Sequence, residues 1–261
     1  MSETRLHPRH LEWEGLINAR DTGGLETADG PIKQGALVRS DLLNSLTPGG
    51  VTALTEHGVR TVIDVRSVDE VAHDWARYPL KEHPLVGYVN QPFRSGVPDE
   101  VRAQARAAYS VSQSRADVNR TDLDYFGRGI TSIVAAIADA PPGGVLVHCH
   151  AGKDRTGIVI ALALAAVGVS DDDIADDYAL TELVLEPLIA DWLDFMSQDP
   201  EERALLRRQA VPSKEAMLET LAYLRERYGG AERYLLEGGM TNDQLARLRA
   251  RLVDANESQA A

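Results

Sequence analysis

The stretch Val145-Leu-Val-His-Cys-His-Ala-Gly-Lys-Asp-Arg-Thr-Gly157 joins a strand pattern, a nucleophile and a helix start without a break. Residues 145–147 are a short apolar run after the turn Pro141-Pro-Gly-Gly144, and residues 157–169 are an apolar run of helical length. The segment 149–155 therefore sits where a buried strand turns into a helix. Such a junction leaves the first helical amides unpaired and turned into the loop, where the helix dipole adds positive character. The expectation is an anion cradle, with Gly152 where the backbone must turn and Lys153 and Arg155 as its cations.

The same field acts on Cys149, the chain's one cysteine. Helix N-termini and cations lower a thiol pKa from about 8.5 to roughly 3.5–7.5, which supplies thiolate at neutral pH. A thiolate facing a bound phosphate ester is a nucleophile for covalent phosphoryl transfer. That transfer has a loose transition state with charge on the equatorial oxygens, so amides and an Arg aimed at them supply much of the catalysis. The scheme requires no metal or other cofactor. His148 and His150 form a His-x-His pair, and a metal-dependent hydrolase built on them is one alternative; a catalytically weak phosphate-binding module is another. A nucleotide-binding Gly-x4-Gly-Lys loop is excluded, because Val147 stands where it needs its first glycine and Asp154 where it needs Ser or Thr.

Composition narrows the partners. A formal charge of −13 argues against nucleic acid, whose affinity comes from clustered Lys and Arg. The start of the chain has no signal-peptide core, and the longest apolar run is too short for a transmembrane segment. A cytoplasmic location is expected, with export lacking a recognisable signal as the alternative; oligomeric state is left open.

Along the chain, residues 11–18 alternate loosely as a strand, and residues 36–41 are a second strand candidate. Thr47 and Pro48 open a helix that ends near Gly58, the β-branched run 59–65 follows, and 85–89 is a weaker strand. Residues 92–120 are polar and arginine-rich (Arg94, Arg102, Arg106, Arg115, Arg120), with some helix over 99–109. Residues 123–138 are an amphipathic helix. Beyond the central helix, acidic residues open a helix after Ser170, Pro187 interrupts 183–196, a short charged helix starts at 199, another spans 211–228, and Thr241-Asn-Asp-Gln244 caps the last. This order implies an α/β fold, a central mostly parallel sheet flanked by helices, with additional C-terminal helices. The chain reads as one domain, 1–261, with a catalytic core over 11–180 and a helical portion over 181–261. The arginines of 92–120, with Arg203, Arg207 and Arg208, read as a solvated face or as a lid over the cleft.

The residues His148-Cys149 to Arg155-Thr156-Gly157 resemble the His-Cys-x5-Arg-[Ser/Thr] motif of the cysteine-based protein tyrosine phosphatase superfamily. With Asn18-Ala-Arg-Asp-Thr-Gly-Gly24, Val38-Arg-Ser-Asp41 and Asp64-Val-Arg66, the sequence is similar to bacterial phosphatases of the secreted mycobacterial type, which act on phosphotyrosine and phosphoinositides. The resemblance implies Cys149 as nucleophile, Arg155 as phosphate clamp, and Thr156 as a stabiliser of the thiolate or leaving group. It implies a loop of His150, Ala151, Gly152, Lys153 and Asp154 around the phosphate, with Lys153 linked to inositol headgroups. The Trp-Pro-Asp acid loop of common members is absent, which leaves Asp154 as the usual general acid of this group and Asp122, Asp124 and Asp99 as rivals. Substrates would be a phosphoprotein or phosphoinositide, and the product inorganic phosphate. Arg20 and Asp64 each follow a strand pattern, where parallel sheets place their ligand crevice, and are expected in the site; Asp21 and Arg66 are expected as solvated loop charges or surface ion pairs.

Overall fold

The structure is a computed structural model that describes residues 7–255. The chain begins with β1 (Arg20–Asp21), a small hairpin of β2 (Glu26–Thr27) and β3 (Gly30–Pro31), and β4 (Leu37–Ser40). Next come α1 (Pro48–Glu56), β5 (Val59–Asp64), α2 (Val68–Asp74), β6 (Gly87–Asn90), α3 (Asp99–Ser110) and α4 (Arg115–Asp139). Then β7 (Gly144–His148) leads into α5 (Asp154–Ala166), followed by α6 (Asp171–Met196), α7 (Pro200–Ala210), α8 (Lys214–Tyr228), α9 (Ala231–Glu237) and α10 (Asn242–Leu252). The main sheet has the order β1-β4-β7-β5-β6, parallel throughout except where β1 meets β4. This is the expected α/β architecture with a mostly parallel sheet.

The central strand dictates the layering. Every residue of β7 is buried, as expected for a parallel strand covered on both faces. Side chains alternate across a strand, and here Val145 and Val147 enter one apolar cluster while Leu146 enters the other. Val62 and Ile63 of β5 split in the same way. On the first face the sheet packs against α4, α5 and the C-terminal helices, with Ile130, Val134, Val159, Leu221, Leu235 and Leu252 among the contributors. On the second face lie α1 and the loops that carry Trp13, Leu43, Tyr78 and Leu80. A third, smaller cluster joins the second half of α6 to α7 through Leu185, Ile189, Leu193 and Ala210. Helices α8–α10 thus share the main core with α4 and α5, while the end of α6 packs on α7, which also rests against α4. No helix among the described residues is long and apolar enough to cross a membrane.

The structure departs from the sequence expectations in several places. Residues 11–18 form turns and loop rather than a strand; Gly15 sits at φ +97°, and the buried Trp13 and Leu16 produced the apparent alternation. The unanticipated α2 starts at a reciprocal cap, in which Ser67 and Glu70 bond each other's backbone amides. Helix α4 starts well before residue 123, because Ser114 and Asp117 make the same kind of cap, and it kinks at Phe126. Helix α6 continues past Pro187 without a break. The carbonyl of Leu183 that Pro187 cannot serve is on an exposed turn of helix, where water can meet it.

Candidate active site

The register of the sheet creates the site. Ser40, Asp64 and His148 are neighbours at the C-terminal ends of β4, β5 and β7, so the loop after β7 rises from the middle of the sheet's ligand-binding edge. Each carbonyl of that loop is tied outward. Val65 N–H donates to the His148 carbonyl at 3.0 Å and Leu42 N–H to that of His150 at 2.9 Å. The His148 ring donates Nδ1–H to the Cys149 carbonyl at 3.0 Å, a tautomer assigned from the acceptor it meets. Asn18 Nδ2 donates to Ala151 O at 2.8 Å, Arg39 Nη2 to Gly152 O at 2.9 Å, and Gly157 N–H to Lys153 O at 2.8 Å. The N–H groups of residues 150–155 meet no acceptor among the described residues. Carbonyls out and amides in, at the N-terminus of α5, is the geometry of an anion cradle.

Gly152 is required at its position. Its φ is +64°, and a Cβ there would lie 2.4 Å from the Ser40 carbonyl oxygen. Cys149 opens the loop and is 3% exposed. Thr156, in the first turn of α5, is buried with a hydroxyl that has no hydrogen-bond partner among the described residues.

Arg155 is held by a residue the sequence reading passed over. Glu70, in the first turn of α2, accepts from Arg155 Nη1 at 2.7 Å and Nη2 at 2.9 Å. This bidentate pair leaves the Nε–H side of the guanidinium free for another oxygen. The Arg155 hydrogen bonds are the main reason the Glu70 carboxyl falls to about 2. Burial works against the Arg155 charge, but Glu70 and Cys149 outweigh it and hold the group above its ordinary range.

Asp154 and Lys153 face partners on distant helices. Asp154 Oδ1 lies 3.3 Å from Arg115 Nη1, at the start of α4. Arg115, expected on a solvated face, is 8% exposed, because α4 begins earlier than expected and delivers it to the loop. Lys153 Nζ donates to the carbonyl of Ala210, the last residue of α7, at 2.7 Å and lies 3.6 Å from Asp154. Burial pushes the Lys153 ammonium down, and Asp154 opposes that shift. Among the rival acids, Asp122 is buried beneath Tyr109 and Arg94, and burial raises it. Asp124 accepts from Tyr223 and Tyr228 on the outside of α8, and Asp99 is exposed at the head of α3.

Arg20 and Asp64, expected within the site, lie beneath it instead. The strand-end rule gives the correct edge of the sheet, but both side chains are consumed by buried partners. Arg20 donates to Asn18 Oδ1 at 2.5 Å, to the Asp177 carbonyl and to Thr181. Asp64 is clamped by Arg66, accepts from Tyr88, and lies 3.6 Å from His148 Nε2. Asp21 and Arg66 are likewise buried rather than loop charges: Asp21 accepts from the Gly23 and Gly35 amides, and Arg66 spans Asp64 and Asp74. His148 is fully buried, which pushes it below its ordinary range, while His150 is exposed.

Two clefts flank the loop. One, of about 730 Å³, is lined by Arg155, Glu70, Arg94, Arg102 and Asp99. The other, also of about 730 Å³, has Lys153, His150, Arg115 and Arg94 at its base and Leu188, Trp192 and Leu206 on its wall.

A cysteine at the start of a loop whose amides are left without acceptors among the described residues, between the central parallel strand and its helix, with an arginine on the first helical turn, is an arrangement suited to binding an anion beside a thiol. The sequence model of the tyrosine phosphatase family matches residues 11–254. The chain belongs to that family, and its activity class is phosphatase. It is 29% identical over 246 residues to a tyrosine-protein phosphatase of Nostoc commune, covering 86% of this chain and 76% of that one. It is 28% identical over 281 aligned positions to the triple specificity protein phosphatase PtpB of Mycobacterium tuberculosis, covering 93% and 98%.

Proposed function

We propose that this chain is a cysteine-dependent phosphomonoesterase that works through a phosphocysteine intermediate, on phosphotyrosine in proteins and on phosphoinositides. The observation that supports this reading is the loop in which all carbonyls from 148 to 153 are bonded to flanking groups while the amides from 150 to 155 have no acceptor among the described residues. Cys149 Sγ attacks phosphorus, the bond to the leaving oxygen breaks with its electron pair, and Asp154 gives that oxygen a proton. Water then attacks the phosphocysteine, returns a proton to Asp154 and releases inorganic phosphate. The amides and the free edge of Arg155 hold the equatorial oxygens through both steps. Arg115 lies 3.3 Å from the Asp154 carboxyl and adds a positive charge beside it. The cations among the cleft's lining residues support a phosphorylated-ring substrate, and in this reading Lys153 meets a second phosphate of an inositol headgroup. A metal-dependent reading on His148 and His150 lacks support: one ring is buried on the Cys149 carbonyl and the other is in solvent.

The decisive test is Cys149→Ser. Turnover is expected to vanish while vanadate still binds, acid quenching of the wild type should trap phosphate on Cys149, and chelators should leave the wild type active. Full turnover in Cys149→Ser sinks the mechanism. A panel of phosphotyrosine peptides and phosphoinositides, repeated with Lys153→Ala, separates the two substrate classes. Asp154→Asn compared with Asp122→Asn on esters of differing leaving-group pKa identifies the acid.

A further inference from the structure

We propose that Asn18 and Arg39 are positioning residues that set the phosphate loop, and that Asp177 fastens both to helix α6, the helix that also walls the cleft. The inference rests on the phosphatase reading above.

A trans peptide unit is planar, so its C=O and the following N–H point in opposite directions. Fixing the Ala151 carbonyl outward therefore turns the Gly152 N–H inward, and fixing the Gly152 carbonyl outward turns the Lys153 N–H inward. These two units flank Gly152, the residue with φ +64° and no Cβ, where a peptide flip meets the least resistance. A flip would aim a carbonyl oxygen at the phosphate in place of a donor. Elsewhere in the loop backbone N–H groups or the adjacent His148 ring hold the carbonyls, whereas these two are held by side chains from distant strands and loops, Asn18 and Arg39.

Both braces are buried and are themselves braced. Asn18 and Arg39 are each 1% exposed. Arg20 Nη1 donates to Asn18 Oδ1, which forces the amide nitrogen toward Ala151 O. Arg39 Nη1 donates to Asp177 Oδ2 at 2.8 Å, and Arg20 Nε to Asp177 Oδ1 at 3.3 Å. One carboxylate on α6, 1% exposed, thus anchors both lines of support. Arg9 also reaches it at 2.8 Å, so three guanidinium groups share one anion below the cradle.

The experiment compares Asn18→Ala, Arg39→Lys and Asp177→Asn with the wild type at a temperature where thermal melts show each variant folded. Three quantities are read: inhibition by inorganic phosphate, kcat/KM, and the ratio of Cys149 alkylation rates by iodoacetate and iodoacetamide. The anionic reagent feels the cradle, and the neutral one reports access alone. Asn18→Ala and Arg39→Lys are expected to weaken phosphate inhibition about tenfold, the factor that about 1.4 kcal/mol, the scale of one hydrogen bond, corresponds to. The alkylation ratio and kcat/KM should fall with it, and Asp177→Asn should move all three the same way by less. Folded variants with wild-type phosphate inhibition and alkylation ratio would overturn the proposal and reduce the network to a stability element. Should Arg39→Lys fail to fold, Asn18→Ala decides alone. A wild type without phosphatase activity would instead refute the phosphatase reading, since the alkylation ratio still reports the cradle.

Discussion

The floor of the site and its wall are built on opposite principles. On the floor, Asn18, Arg39, Asp64, His148 and Asp177 are all buried, and every loop carbonyl from 148 to 153 has a partner. The wall, the second half of α6 with α7, rests on a four-residue apolar cluster of its own and leaves Leu188 55%, Trp192 39% and Phe195 86% exposed. Its ion pairs, Arg203 with Asp194 and Arg207 with Glu186, are largely exposed, and such pairs contribute little to stability. Geometry that acts on a transition state must be set before substrate arrives, whereas a surface that meets varied substrates gains from yielding. Helix α6 belongs to both regions: its first half carries Asp177 and Tyr178 into the core, and its second half faces the cleft.

Arg155→Lys should give the largest effect and tests the floor directly. A lysine keeps the charge but loses the planar fork that spans Glu70 and a phosphate. We expect kcat/KM to fall by roughly 10²–10³-fold, the range seen when one preorganised donor is lost, with circular dichroism unchanged. Glu70→Gln should cost less, because the fork survives and only its orienting charge is gone. If Arg155→Lys cost no more than a wall substitution, the floor would not be the preorganised region.

The acid limb of stability comes next. Burial alone would raise the Asp177 carboxyl, but Arg20, Arg39 and Arg9 outweigh it and hold the group well below its ordinary 3.8. A carboxyl depressed in the folded state stabilises that state at pH values above its unfolded pKa, and the contribution fades as pH falls from there toward the folded value. Denaturant midpoints should therefore drop as pH falls below about 4. Asp177→Asn should lower the midpoint at neutral pH and make that acid limb shallower. A variant limb as steep as the wild type's would remove Asp177 from the acid sensitivity and weaken its place in the floor.

The same contrast explains what could be read from sequence. The strand, loop and helix around Cys149 are local, so apolar runs, a turn and the motif spacing placed them, with α5 starting three residues ahead of the apolar run. The cap at Thr241 and Gln244 was legible because the Thr-x-x-Gln spacing follows the glycine pair 238–239 and stands directly ahead of the helix it opens. Ser67 and Glu70 carry the same pattern, but directly behind a strand and before a helix with no buried residues, so Glu70 escaped notice. Arg115 looked like its neighbours because its environment, with Asp154 beside it, is assembled by residues distant in sequence. Arg20 and Asp64 were placed at the correct edge of the sheet but at the wrong depth. Strand position fixes the edge, whereas depth depends on the long-range partners Asp177 and Arg66.

The smallest expected effect belongs to the wall. Trp192 lines the cleft above Lys153 and is partly exposed, so truncation removes contact area without opening a large core cavity. Trp192→Ala should leave kcat for a small aryl phosphate near wild type and raise KM only for substrates with an apolar body. At about 25 cal/mol per Å² of apolar surface, losing some tens of Å² of contact corresponds to a KM change of severalfold. Because the side chain lines the cleft away from Cys149 and Arg155, the loss should fall on KM rather than kcat. The α7 amides should also exchange hydrogen faster, while those of β7 stay protected, since the wall's cluster shares no residues with the main core. Equal loss of kcat for small and large substrates would mean that Trp192 acts on the loop itself, through the bond from Lys153 to Ala210, and that wall and floor form one unit.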